Sequence, residues 1–202
     1  MLMFTPYQVR SYSQSPKRQL SPKAGTPIDN ATLIDVCQQV CNELKQIAPI
    51  YYPFAELQRI TGCRVSEAFT PNLWSCDEDK RYTLKALKGN NPRVFCPEWY
   101  DNLSILLTAI ESWALAYCSQ SNYRRIIRRL FKLHGLYRVS KNGTAFAGSH
   151  TFRHAYVARY LPLEPTWEEL LQDLGEKTMK AANEYVNSQF YMIPNNLKIN
   201  TL

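Results

Sequence analysis

The sequence predicts a mainly α domain with a small antiparallel β-sheet, an α+β fold. Apolar residues recur at helical spacing before residue 70 and again after residue 98. Between those stretches, residues 72–96 fall into short β-prone pieces parted by turn formers. With 202 residues, 45% hydrophobic and 12% aromatic, the chain can bury one core.

Residues 1–28 hold Pro6, Pro16, Pro22 and Pro27, several serines, four basic residues and no acid. Such a stretch buries too little apolar surface to offset its ordering entropy, so it reads as a flexible basic arm. The folded domain is expected over 29–188, followed by a tail at 189–202. Asp29 or Asn30 can cap its first helix, which carries Leu33, Val36, Cys37, Val40, Cys41 and Leu44 on one stripe. A short helix over Pro53 to Ile60 follows, its proline tolerated in the first turn. Gly62 breaks it, and a new helical turn starts at Val65. "NLWSC", "RYTLKAL" and "RVFC" are the strand pieces, parted at Asp77 to Asp79 and at Gly89 to Pro92. Helical pattern resumes at Glu98 and is expected to dominate to the end. "TWEELLQDLG" sets Thr166 and Glu169 in capping-box register with Gly175 as the stop, and a last helix should run over 178–188.

A net charge of +7 and a pI near 9.1 point to an anionic partner. In "NYRRIIRRLFK", Arg124, Arg125, Arg128, Arg129 and Lys132 crowd two turns of predicted helix, with Ile127 and Leu130 left for a core. Like charges so close repel unless phosphates or carboxylates lie nearby; a solvated face is the plainer alternative. No run of about 18 apolar residues is available to cross a bilayer, and no membrane partner is expected. The first residues lack a secretory pattern, so reduced thiols are expected. The six cysteines show no CxxC pair, which favours buried free thiols over a zinc site.

Several polar residues sit where a plain core would not put them. Arg64 lies in "TGCRVSEAF", between a glycine turn and a helix start; Lys88 is at the hairpin tip in "LKGNNPRVF". His150 and Arg153, in "GSHTFRHAYVARY", share a helix face, and Tyr185 follows on the last helix. Together these residue types make chemical sense. Guanidinium groups fork onto the non-bridging oxygens of a phosphate. A phenol attacks only once that phosphate is held and its charge offset. A histidine can accept the phenol's proton and a lysine can supply one to the leaving alkoxide.

These residues resemble the catalytic domain of the tyrosine recombinases, the phage integrase family. "TGCRVSE" matches the family's "TG-x-R-x-x-E", "KGNNPR" its "KG-x-x-x-R", and His150, Arg153 and His154 its "H-x-x-R-H"; Tyr185 falls at the nucleophile's spacing. The resemblance runs from about residue 30 to 188. It implies the tyrosine recombinase catalytic-domain fold and a site of Arg64, Lys88, His150, Arg153 and the nucleophile Tyr185. Glu67 and His154 are expected in supporting roles, and the α-helical arginine cluster in DNA binding. With Arg153 between them and a phosphate to hold, His150 and His154 are not expected to bind metal, and no cofactor is implied.

The implied activity is site-specific DNA recombination, integration included, through a 3′-phosphotyrosyl intermediate. Double-stranded DNA is the implied substrate, with a homo-oligomer, dimer to tetramer, assembled on it and the tail packing on a neighbouring protomer. The setting would be cytoplasmic and nucleoid-associated, in a host- or virus-encoded mobile element. Two features depart from the family pattern. Glu176 stands where a histidine or tryptophan usually follows "LG", and an acid there repels a phosphate unless it turns away or pairs with a base such as Lys177. The usual N-terminal core-binding domain is missing, so the chain reads as a stand-alone catalytic domain that an accessory DNA-binding protein could assist. Both departures keep alternatives open: a non-catalytic or regulatory DNA-binding relative, or an enzyme of the same chemistry that relaxes DNA or resolves its ends.

Overall fold

The computed structural model describes residues 25–85, 91–95, 100, 102–140, 143–186 and 191–194. Strand β1 (Gly25–Pro27) leads to Asp29, whose carboxylate accepts the Thr32 N–H at 2.7 Å and caps α1 (Asn30–Ile47). The stripe expected from the sequence, Leu33 to Leu44, is buried. A 3₁₀ turn enters α2 (Tyr52–Thr61), which Gly62 ends at φ 62°. Helix α3 (Val65–Ala68) follows at once.

Three short strands, β2 (Trp74–Cys76), β3 (Tyr82–Leu84) and β4 (Arg93–Phe95), then form an antiparallel sheet in that order. Helix α4 (Leu103–Ala109) runs through a π-helical turn into α5 (Leu115–Tyr117). In α6 (Gln120–Leu133), Tyr123, Ile127, Leu130 and Phe131 are buried at helical spacing while Arg124, Arg125, Arg128, Arg129 and Lys132 stay exposed. Strands β5 (Tyr137–Ser140) and β6 (Gly143–Phe146) form a hairpin. Next come α7 (His150–Tyr160), α8 (Trp167–Leu174), α9 (Met179–Val186) and β7 (Tyr191–Pro194).

Helix α7 is the centre of the molecule. Every residue from Thr151 to Ala158 is buried, because α7 packs on α1 and α2 along one side and on α9 along another. A helix covered all round needs small or apolar residues, and most of α7 obliges. Arg153 and His154 are the polar exceptions at its heart, each 1% exposed. A second apolar cluster, Tyr156, Val157, Leu170, Leu174 and Ala182, fastens α8 and α9 to α7, with Tyr185 packed against it.

The C-terminal half, where helical pattern was expected to dominate, also holds strands. A four-stranded antiparallel sheet, ordered β1-β7-β5-β6, is built there. Its β5–β6 hairpin had a local signal, the Asn142–Gly143 pair between β-prone residues. Strand β7 had none, since Thr26 pairs with Ile193 from the opposite end of the chain and Tyr137 with Met192 from 55 residues away. Gly25–Pro27, the end of the stretch read as an arm, therefore lie in a strand, and Tyr191–Pro194 of the tail pair with this chain's own β1 and β5. Residues 1–24 and 195–202 lie outside the described residues. Of the described cysteines, Cys37, Cys41 and Cys63 are buried free thiols, Cys76 is exposed and Cys118 half-buried, so burial holds for only part of these five; Cys96 lies outside the described residues.

Candidate active site

Arg153 is a cation with almost no access to water, and the ends of two other helices supply its partners. Its Nη1 donates to the Gly62 carbonyl at 2.8 Å, and its Nη2 to the Leu174 carbonyl at 2.5 Å and to Glu176 Oε1 at 2.9 Å. Both carbonyls belong to helix ends that glycine terminates, where unpaired backbone oxygens need donors. Burial, and after it the neighbouring Arg93, pull Arg153 below the ordinary arginine range. Glu176 shares that buried pocket, at 7% exposure.

Arg64 reaches the same carboxylate from the other side. Its Nη2 donates to Glu176 Oε1 at 2.5 Å, and its Nη1 to Glu67 Oε1 at 2.9 Å. The other Glu67 oxygen accepts the Arg64 backbone N–H at 2.6 Å, so Glu67 holds both the main chain and the guanidinium. Burial works against the Arg64 charge, but Glu67 and then Glu176 outweigh it and leave its pKa raised. Two guanidinium groups, carried on α7 and at the start of α3, thus converge on one anionic oxygen. Sequence reasoning offered Lys177 as the base for Glu176; the arginines themselves take that place.

Tyr185 completes the group. The Arg153 Cζ lies 4.8 Å from the centroid of its ring, and His154 packs against the same ring at 4.9 Å. The phenol is among the electrostatic partners of both arginines. His150 stands one turn before His154, exposed at the start of α7. Crowding of its ring by surrounding protein, then the charges of Arg153, Arg138, Arg64 and Arg124, hold its pKa below the ordinary histidine value. The structure thereby brings Arg64, Glu67, His150, Arg153, His154, Glu176 and Tyr185 together. Arg124 is within electrostatic reach of His150, so the basic face of α6 borders the site at that end. Lys88 lies outside the described residues.

Arg93, the last residue of "KGNNPR", was quoted in the sequence motif without a role. It is 3% exposed and donates to the carbonyls of Thr61 and Asp173. Asn91 N–H adds a bond to the Gly175 carbonyl at 3.2 Å. The strand below the hairpin tip is in this way fastened to the loop of Arg64 and to the turn of Glu176. The signal was in the strand itself, since Arg93 shares a face with buried Phe95, alternating with exposed Val94, and must face inward.

His154 carries a stability prediction. Burial and then the charge of Arg138 lower its pKa from 6.5 to about 3, so it folds as a neutral ring. Between those values the unfolded chain binds the proton and the folded chain does not. The neutral ring is therefore tolerated in full above pH 6.5, and stability is lost as pH falls toward 3, by about 1.4 kcal/mol per pH unit. Urea unfolding at pH 7.5 and pH 5 should show a wild-type loss that His154→Phe reduces; an equal loss in both proteins would place the sensitivity elsewhere.

Among the described residues no helix is long and apolar enough to cross a membrane, and no group of three potential metal ligands occurs. No family model and no curated protein matches the chain. Solved structures do match. The XerH site-specific recombinase bound to palindromic difH substrate, a post-cleavage complex, superposes with a TM-score of 0.56 at 15% identity, covering 84% of this chain and 51% of that chain. The pre-cleavage complex of XerH with difH substrate gives 0.53 at 15% identity, covering 84% and 53%. The chain thus spans about half the length of the recombinase chains it matches. Its mainly α architecture with small antiparallel sheets matches the fold of these tyrosine recombinase structures, as the sequence resemblance implied.

Proposed function

We propose that the chain is a site-specific DNA recombinase of the tyrosine type. One observation carries the reading: on this fold, Arg64 and Arg153 converge on a single anionic oxygen beside the Tyr185 ring. Two forks aimed at one oxygen suit a phosphodiester, whose non-bridging oxygens gain charge in the transition state.

In the proposed reaction the Tyr185 hydroxyl oxygen attacks phosphorus and the bond to the 5′ oxygen breaks, leaving a 3′-phosphotyrosyl ester. His150, neutral near pH 7 because its pKa is lowered, accepts the phenol proton. Lys88 supplies the proton that makes the leaving oxygen a 5′-hydroxyl. A 5′-hydroxyl from a partner strand then reverses these steps and restores the diester. The ester conserves the bond energy, so no nucleotide is consumed. The exposed arginines of α6 track the DNA backbone, fixing register more than sequence. Exchange between two duplexes needs several copies of the chain on DNA.

The test is a pool of nicked duplexes of randomised sequence, which traps any covalent intermediate by loss of the short 5′ fragment. Wild type should form an adduct stable in denaturing gels, and Tyr185→Phe should form none. No adduct with wild type, or an adduct with Tyr185→Phe, overturns the reading. A second reading is favoured by Glu176, whose carboxylate fills the arginine forks: a non-catalytic DNA-binding relative. It predicts DNA retardation unchanged in Tyr185→Phe, with no nicking or relaxation of supercoiled plasmid.

A further inference from the structure

We infer that Glu176 is an internal substitute for the phosphate, a carboxylate that closes the two-arginine site until a phosphodiester displaces it. The inference rests on the recombinase reading for the identity of the ligand, but not for the existence of the anion site. Glu176 Oε1 takes hydrogen bonds from Arg64 Nη2 at 2.5 Å and Arg153 Nη2 at 2.9 Å. A phosphate oxygen bound by both forks needs that same position. The two oxyanions exclude each other there by volume and by charge.

The charge count points the same way. Arg64 and Arg153 are offset by Glu67 and Glu176, so at these four side chains the closed site carries no surplus positive charge to draw a phosphate. Removing Glu176 from the forks leaves one surplus charge, which a diester neutralises. Glu67 cannot serve as the gate, because it also accepts the Arg64 backbone N–H and its departure would undo the loop.

The gate is narrow because the backbone under it is held. Gly175 takes a left-handed φ of 64°, and its N–H and that of Glu176 bond back to the carbonyls of Gln172 and Leu171 at 3.1 and 2.9 Å. Asn91, just before β4, donates its N–H to the Gly175 carbonyl. Release of the carboxylate is therefore a rotation of the Glu176 side chain, with the two arginines left in place by Glu67 and by the carbonyls of Gly62 and Leu174. A site closed in this way is protected from free phosphate and opens to a diester delivered and held by the basic surface around it. Residue 176 thus decides when the forks are available, a task separate from the chemistry at Tyr185.

Inorganic phosphate, titrated by calorimetry into the whole chain, tests this without DNA. Glu176→Gln keeps the side chain's shape and should bind phosphate at least about tenfold more tightly than wild type, as an exposed control, Glu78→Gln, should not. Glu176→His should gain likewise, and covers the case in which the glutamine variant misfolds. Adding Arg64→Met to Glu176→Gln should abolish the gain, locating it in the forks. Equal affinity in Glu176→Gln, Glu176→His and wild type, or a gain matched by Glu78→Gln, overturns the inference. The adduct assay separates the two claims. A phosphate gain with no adduct from any variant leaves the gate standing and removes the recombinase; an adduct with no phosphate gain does the reverse.

Discussion

Replacing Arg153 with methionine is expected to cost about 3–5 kcal/mol of folding stability, the range for removing one partner of a buried ion pair. The arginine is 1% exposed, and its hydrogen bonds go to three places that α7 alone cannot reach: the end of α2 at Gly62, the end of α8 at Leu174, and Glu176. Methionine fills the volume but donates nothing. Two helix-end carbonyls would be left without this donor, and the Glu176 carboxylate would depend on Arg64 alone. Arg153→Lys should recover part of the loss, since one ammonium cannot copy a fork that spans both helix ends. Pairing Arg153→Met with Glu176→Leu should also recover part of it, because the stranded charge is then gone. Urea unfolding monitored by circular dichroism measures all three. A loss below about 1 kcal/mol for Arg153→Met would mean that the guanidinium does not tie α2, α7 and α8 together.

Much of this arrangement was legible because its signals are local. Asp29 three residues before its Thr32 partner, the Tyr123–Ile127–Leu130 stripe and Gly175 after "QDL" each announce an element within one or two helical turns. Arg64, Arg153 and Tyr185 stood out as polar residues where packing alone would put apolar ones, and Glu67 came with the family motif; the structure sets both arginines on one oxygen, with Glu67 on Arg64 and the Tyr185 ring beside Arg153. The illegible parts are contacts across the chain. Strand β7 pairs with β1 from the opposite terminus, and nothing within either stretch encodes the other. The partnership of Glu176 with Arg64 crosses 112 residues. Read by itself, an acid in that position suggested repulsion from a phosphate or a bridge to the adjacent Lys177. Only the fold shows that it lies inside the forks. Arg93 was missed for a related reason: its partners are backbone carbonyls, and carbonyls have no residue type for a sequence to display.

Gly62→Ala is expected to cost about 3 kcal/mol, although it adds a single methyl group. One part of the cost is conformational. Gly62 ends α2 at φ 62°, in the left-handed region, where an L-residue is about 1–2 kcal/mol less favourable than glycine. The other part is steric. A Cβ built there comes within 2.6 Å of Tyr156 Cδ1 and 2.7 Å of its Cγ. That ring cannot swing aside freely, because its hydroxyl is held by Asp173 at 2.9 Å and by the Tyr100 hydroxyl at 3.1 Å. The backbone must therefore move instead, and it carries the carbonyl that accepts from Arg153 and, two residues on, Arg64 itself. The same substitution should thus disturb the forks as well as the fold, lowering any Tyr185 adduct by more than the folded fraction falls. Gly148→Ala is the matched control. A Cβ there meets nothing within 4 Å, so its unfolding midpoint should stay close to wild type. If Gly62→Ala unfolds at the same urea concentration as Gly148→Ala, the close approach of Tyr156 to the arginine turn is not a feature of the protein in solution.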